Sequence, residues 1–245
     1  MRRYIYFVFL LCCAVNLLLT SCVRQKYVVM DMVHHNPGEA MTESKFLDPS
    51  FLKKNEYGAK VFFLFEAAQF GIDWKSFDPS LFPATTEAGR WVAEKAEIIH
   101  KKYDAAKKED LQVYCMLDML VLPSLLVEKH RTELTNEQGK LDISKPYTQL
   151  CIRELMKEMF ETFPQLDGLV IRTGETYLHD APYYVGNHPV QNGMYDHITL
   201  INLLREEVCE RRNKKLFYRT WDMGQLHSIP KYYLSVTDSI EPHPN

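Results

Sequence analysis

Four apolar runs of strand length end in a carboxylate or hold one near the end: Glu66 after FFLF, Asp118 within YCMLDML, Glu175 after VIRTG and Asp222 after FYRTW. Two of these ends repeat one pattern. Ile171-Arg172-Thr173-Gly174-Glu175 and Tyr218-Arg219-Thr220-Trp221-Asp222 share Arg-Thr-x-acid at the same offset. Another run passes instead into His34-His35-Asn36-Pro37-Gly38-Glu39. Carboxylates with interspersed arginine supply what cleavage of a glycosidic bond requires: an acid that protonates the leaving oxygen, and a second carboxylate as nucleophile or base. A single acid at a strand tip can equally cap the next turn; four on one edge are harder to read that way.

Aromatic residues crowd the segments behind the same acids. Phe70, Trp74 and Phe77 follow the second run. Tyr177, Tyr183 and Tyr184 follow the fourth, among His179, Asp180, Asn187 and His188, and Trp221 closes the fifth. Flat rings with polar neighbours suit a cleft for sugars, although a ring can also pack its own loop onto the rim. The histidines admit a second chemistry, a metal-dependent hydrolase built on His34, His35, His179, Asp180 and His188. Adjacent strand residues point to opposite faces, so only one of His34 and His35 readily enters a shared shell. No CxxC or CxH spacing suggests zinc, and no GxGxxG follows a strand, so neither a metal nor another cofactor is expected.

A scaffold must hold these groups. Residues 27–33, 60–66, 111–120, 168–173 and 216–221 are nearly continuous in apolar, β-branched and aromatic side chains, as parallel strands covered on both faces are. Helical patterns lie between them. Residues 49–56 have Asp48 to cap them and Gly58 to end them, and 86–108 carry Trp91, Ile98, Ile99 and Ala106 on one stripe. Residues 146–163 align Ile152, Leu155, Met156, Met159, Phe160 and Phe163, with Ser144 able to cap and Pro164 to stop. Residues 196–212 turn Ile198, Ile201, Leu204 and Val208 inward, and a last helix spans 230–240.

Such alternation demands a mainly parallel sheet with right-handed crossovers. Links from helix to strand are short, whereas the strand-to-helix segments 34–47, 67–85, 121–145 and 174–195 are long. Long loops usually exist for function, and a (β/α) barrel gathers them at the C-terminal face of its strands, around the active site. The expected fold is therefore α/β, a TIM-type (β/α) barrel with about five of the eight βα units that closure needs. Truncation of a longer protein is favoured over an open sheet with a covered edge.

Arg2 and Arg3 precede a mostly apolar run at 4–19, shorter than the roughly 20 residues of a membrane-spanning helix, and together they read as a secretion signal. The run ends in Leu19-Thr20-Ser21-Cys22, which resembles the lipobox of bacterial lipoproteins. That resemblance implies a signal peptide at 1–21, acylation of Cys22, a tether at 22–26 and a single soluble domain at 27–245, anchored to the cell envelope membrane. A net charge of -3 gives no basic field for nucleic acid, and 46% hydrophobic content supports a sizeable core. Cys115, Cys151 and Cys209 lie in apolar periodic segments and read as buried thiols. Nothing in the sequence specifies an oligomeric state.

MVHHNPGE at 32–39, DPSFLKKNEYG at 48–58, DMLVLP at 118–123 and above all IRTGETYLHDAPYY at 171–184 resemble the N-terminal barrel portion of glycoside-hydrolase-like lipoproteins of polysaccharide-degrading bacteria, over nearly all of 27–245. One form of that resemblance is an α-glucuronidase-like barrel, in which Arg172 or Arg219 pairs a uronate carboxylate. In many retaining barrels of this broad kind the acid/base glutamate ends the fourth strand, which matches Glu175; their nucleophile commonly sits on a seventh strand, beyond these five. The resemblance implies a glycosidase with Glu175 as general acid and Asp222 as the second candidate carboxylate. Glu66, Asp118, Arg172, Arg219, His34, His35, Asn36, Trp74, Tyr177, His179, Asp180 and Trp221 complete the expected carbohydrate-binding wall. A glycan-binding lipoprotein that captures sugars without cleaving them shares the aromatic cleft and needs no matched carboxylates.

Overall fold

The computed structural model describes residues 28–31, 44–63, 66–173, 176, 178, 180–187, 193–219 and 230–245. Each strand expected from the apolar runs is present, shorter than its run. Strand β1 (Met30–Asp31) is a two-residue edge. Helix α1 (Pro49–Lys54) begins where the Asp48 carboxylate accepts from Ser50 N, with proline in its first turn. Strand β2 (Ala59–Phe62) follows, then helix α2 (Glu87–Lys108), started by Thr86 Oγ1 accepting from Gly89 N.

Strand β3 (Gln112–Asp118) runs into a loop that carries short elements of its own: β4 (Val121–Pro123), α3 (Ser124–Lys129) and α4 (Arg131–Leu134). Helix α5 (Pro146–Thr162), strand β5 (Gly168–Arg172), strand β6 (Tyr184–Gly186) and helix α6 (Met194–Leu204) come next. Helix α6 continues into a π-helical segment, Arg205–Glu210, ahead of strand β7 (Lys215–Tyr218) and helix α7 (Pro230–Thr237).

Strands β1, β2, β3, β5 and β7 form one parallel sheet in that order, and β4 pairs antiparallel with β6 in a separate two-stranded unit. The order never reverses. With right-handed crossovers, a sheet wound in one direction receives all its connecting helices on the same face, whereas a doubly wound sheet receives them on both. The packing agrees. Val92, Ile99 and Tyr103 of α2, Ile152, Leu155 and Met159 of α5, and Leu200 and Leu204 of α6 share one core with Phe62, Val113, Leu117 and Ile171 of the strands. The opposite strand face carries a separate cluster of Ala59, Val61, Tyr114, Met116 and Val170, with no helical residue in it. Among the described residues β1 and β7 do not pair, so no closed barrel is seen.

Some expected stripes move. Ile98 is 46% exposed, whereas Ile99 and Ala106 are buried as expected, together with Gly89, Val92 and Tyr103. In α6 the inward residues include Leu200 and Leu203, while Ile198 and Ile201 are only half-buried. Ser144 does not cap α5. Its Oγ donates to Asp142 Oδ1 (2.7 Å), and Lys145 takes the cap position without a side-chain bond. Cys115, Cys151 and Cys209 are free and buried, and burial pushes Cys115 and Cys151 up to about 12. No described helix is long and apolar enough to cross a membrane.

Gly168 sets the closeness of two strands. It pairs with Lys215, and a Cβ there would lie 2.2 Å from the Lys215 carbonyl oxygen. Gly168→Ala is therefore expected to pry β5 from β7 and to lower stability by about 1–3 kcal/mol. Urea unfolding checks this; an unchanged midpoint would show that the pairing tolerates the methyl group.

Candidate functional site

Strand alternation and register bring three charged side chains into one row. Asp118 ends β3 and Arg172 ends β5, and the two residues are direct register partners. Arg219 lies just beyond β7, one step past the Ile171–Tyr218 pair, where its N–H donates to the Ile171 carbonyl at 2.9 Å. All three occupy the face that carries Tyr114, Met116 and Val170, away from the helices. The repeated Arg-Thr-x-acid pattern thus corresponds to two arginines side by side on neighbouring strands.

The row is asymmetric. Arg172 donates from Nε to Asp118 Oδ1 (2.5 Å) and from Nη2 to Asp118 Oδ2 (2.7 Å), a bidentate fork, with the two residues 6% and 7% exposed. Arg219 is half-buried. Its Nη1 rests 3.6 Å from the Met116 sulfur, and it has no carboxylate partner among the described residues. A cavity of about 10 Å³ opens beside the pair, walled by Phe63, Phe70, Met116, Asp118, Arg172 and Gln69. Gln69 belongs to the 3-10 turn Ala68–Gly71 after β2, is 2% exposed, and leaves Oε1 buried without a hydrogen-bond partner. No signal in the sequence singled it out.

Other expected members of the ring lie elsewhere. The Glu66 carboxylate pairs with Lys102 of α2, and the Glu66 carbonyl accepts from Tyr103 OH at 2.9 Å, so its side chain faces the helical layer and does not join Asp118. Trp74 is no sugar platform. It is fully buried in the main core with φ 56, a left-handed conformation that few bulky residues adopt. Phe70 and Tyr184 are 5% exposed and pack edge-on with centroids 5.0 Å apart, which pins the loop after β2 against the β6 segment. Asp180 is exposed on the turn before β6. Asn187 clips two loops, its Oδ1 accepting from Leu141 N (2.7 Å) and its Nδ2 donating to Leu141 O (3.0 Å).

Glu175, Asp222, His34, His35, Asn36, Tyr177, His179, His188 and Trp221 fall outside the described residues, as does Cys22. Among the described residues no group of three or more His, Cys, Asp or Glu side chains could hold a metal ion.

The buried fork has a measurable signature. Removing one charge of such a pair strands the other in a low-dielectric site, so Asp118→Asn is expected to cost about 3–5 kcal/mol, with Arg172→Gln similar and the double variant far from additive. Denaturation of the three variants checks this; a cost below about 1 kcal/mol, the range of an exposed pair, would contradict the burial described.

No protein-family model and no curated protein matches the chain. Among solved structures, a noncanonic maltogenic alpha-amylase from Thermotoga neapolitana is similar over 77% of this chain and 44% of its own length, at 14% identity and a TM-score of 0.42. A GH138 enzyme targeting pectin rhamnogalacturonan II is similar over 86% of this chain and 24% of its own length, also at 14% identity and a TM-score of 0.42. This chain spans less than half the length of either protein.

Proposed function

We propose that this chain is the N-terminal part of a (β/α)-barrel glycoside hydrolase, carried on the bacterial cell envelope by a lipid on Cys22 behind a signal at 1–21. The observation that carries the reading is the Asp118–Arg172–Arg219 row on the sheet face opposite the described helices, in a sheet wound in one direction. A barrel would curl that face inward and direct its strand ends toward one opening, where the long loops gather.

In this reading Glu175, three residues past Arg172, is the general acid: it gives its proton to the leaving oxygen as the C–O bond breaks. Asp222, three residues past Arg219, is the second carboxylate, attacking the anomeric carbon or taking the proton of the attacking water. Asp118, Arg172 and Arg219 bind the sugar, with His34, His35, Asn36, Tyr177, His179, Asp180 and Trp221 on the surrounding loops. A non-catalytic glycan-binding lipoprotein is the second reading, and one observation favours it. Of the four acids expected in the ring, Asp118 is forked to Arg172 and Glu66 is paired with Lys102, so two are committed to ion pairs rather than proton transfer.

In the full-length protein, Glu175→Gln is expected to slow hydrolysis of uronic-acid-containing oligosaccharides on the order of 10²–10⁴-fold while calorimetric binding survives. Unchanged turnover would refute the assignment, and binding by the wild type without products would favour capture. Cys22→Ser is expected to shift the protein from the membrane fraction to the soluble fraction of lysed cells; a variant that stays with the membrane would argue against the lipid anchor.

A further inference from the structure

We infer that Gln69 and the Asp118–Arg172 pair form a slot for a single neutral hydroxyl, and that Gln69 determines which sugar the site accepts; the inference rests on the carbohydrate reading above. Gln69, like Thr173 beside Arg172 and Trp74 in the same loop, leaves a buried polar atom unpartnered, and of these three it is the one that lines the cavity. It is 2% exposed, and its Oε1 is buried with no donor, an arrangement that native interiors seldom keep without a reason.

Its position is not a loose rotamer on a loose loop. Tyr184 OH donates to the Gln69 carbonyl (3.3 Å), Ala68 N donates to Cys115 Sγ (3.2 Å), and Phe70 packs on Tyr184. The backbone on both sides of Gln69 is therefore tied to the core. The orphaned amide borders the cavity of about 10 Å³ beside Asp118 and Arg172, room for about one oxygen atom.

The chemistry of the walls selects the guest. The carboxylate and the amide oxygen are acceptors, and both Oδ atoms of Asp118 already receive guanidinium N–H groups. The pair is neutral as a unit, so an anionic group in the cavity would meet the carboxylate and the amide oxygen beside a guanidinium already forked to Asp118. A hydroxyl both donates and accepts, which satisfies the amide in either of its two orientations. Phe63, Phe70, Met116 and Ala67 are the apolar walls of the cavity among the described residues. In this inference Arg172, which the resemblance offers to a uronate, forms the inner wall of a neutral slot.

A bound water has the same chemistry, and the test separates the two sources. Gln69→Leu and Gln69→Met in the full-length protein are compared with the wild type by thermal melting. Binding is read on a printed array of neutral and uronic-acid-containing oligosaccharides that includes pairs differing by one hydroxyl. If the slot serves a sugar, both variants melt no lower than the wild type, bind at least about tenfold more weakly, and lose the discrimination within those pairs. Lower melting with unchanged binding would assign the slot to a structural water and overturn the inference. Unchanged melting and unchanged binding would overturn it while leaving the carbohydrate reading intact. A wild type that binds nothing on the array would overturn both.

Discussion

Two opposite charges buried side by side make a demand that the surrounding fold has to meet. Desolvating a carboxylate and a guanidinium costs several kcal/mol each, and their attraction offsets this only when geometry is good and the remaining polar positions are satisfied. Asp118 and Arg172 meet the geometric condition because they are register partners at the ends of adjacent parallel strands, so the sheet itself holds their distance. Gly168, at the other end of β5, keeps that strand against β7, and Arg219 closes the row on the far side. Slipping β5 by one residue would turn Arg172 into the helical core.

The loops around the row are anchored from behind. Phe70, Phe82 and Trp91 gather around Tyr184. Glu158 of α5, 6% exposed, accepts from Ser76 N (2.9 Å) and Ser76 Oγ (2.5 Å), which fixes the turn after Trp74. Lys129 of α3, with Ser80, holds the Asp78 carboxyl down to about 2, tying the segment after β2 to the helix after β4. Many of the polar and aromatic side chains that might have faced a ligand thus spend their interactions on loop position. Among the described residues of the rim few polar atoms lack an internal partner, and Gln69 Oε1, Trp74 Nε1 and Thr173 Oγ1 are the buried ones that do.

Periodicity made the strands and the four longer helical patterns legible, because hydrophobic burial imposes a repeat that survives without tertiary knowledge. The same reasoning reached the row through the Arg-Thr-x-acid echo. It failed where local sequence does not specify direction. Glu66 follows an apolar run as Asp118 lies within one, yet the turn after β2 aims it at Lys102; only the packing of α2 decides that. Trp74 sits in a loop rich in polar residues, but the loop folds back and buries the indole completely. The β4–β6 pair was invisible because each strand has only three residues, below the length at which alternation carries information. Gln69 was invisible for another reason: a single glutamine in an AAQFG turn has no pattern, and only burial marks it.

The pairing of Arg172 also bears on how two acids could divide one reaction. A bare guanidinium favours the ionised form of any carboxylate nearby, which suits a nucleophile or base and hinders an acid that must arrive protonated. Asp118 cancels the charge of Arg172, whereas Arg219 sets its Nη1 beside the Met116 sulfur and has no carboxylate partner among the described residues. On the proposed reading, Glu175 follows the arginine forked to Asp118, and Asp222 follows the arginine with no carboxylate partner among the described residues. The two Arg-Thr-x-acid segments, nearly identical in sequence, would then differ in the one electrostatic respect that separates a proton donor from an anion. That difference comes from a third strand, since Asp118 on β3 borders Arg172 and not Arg219.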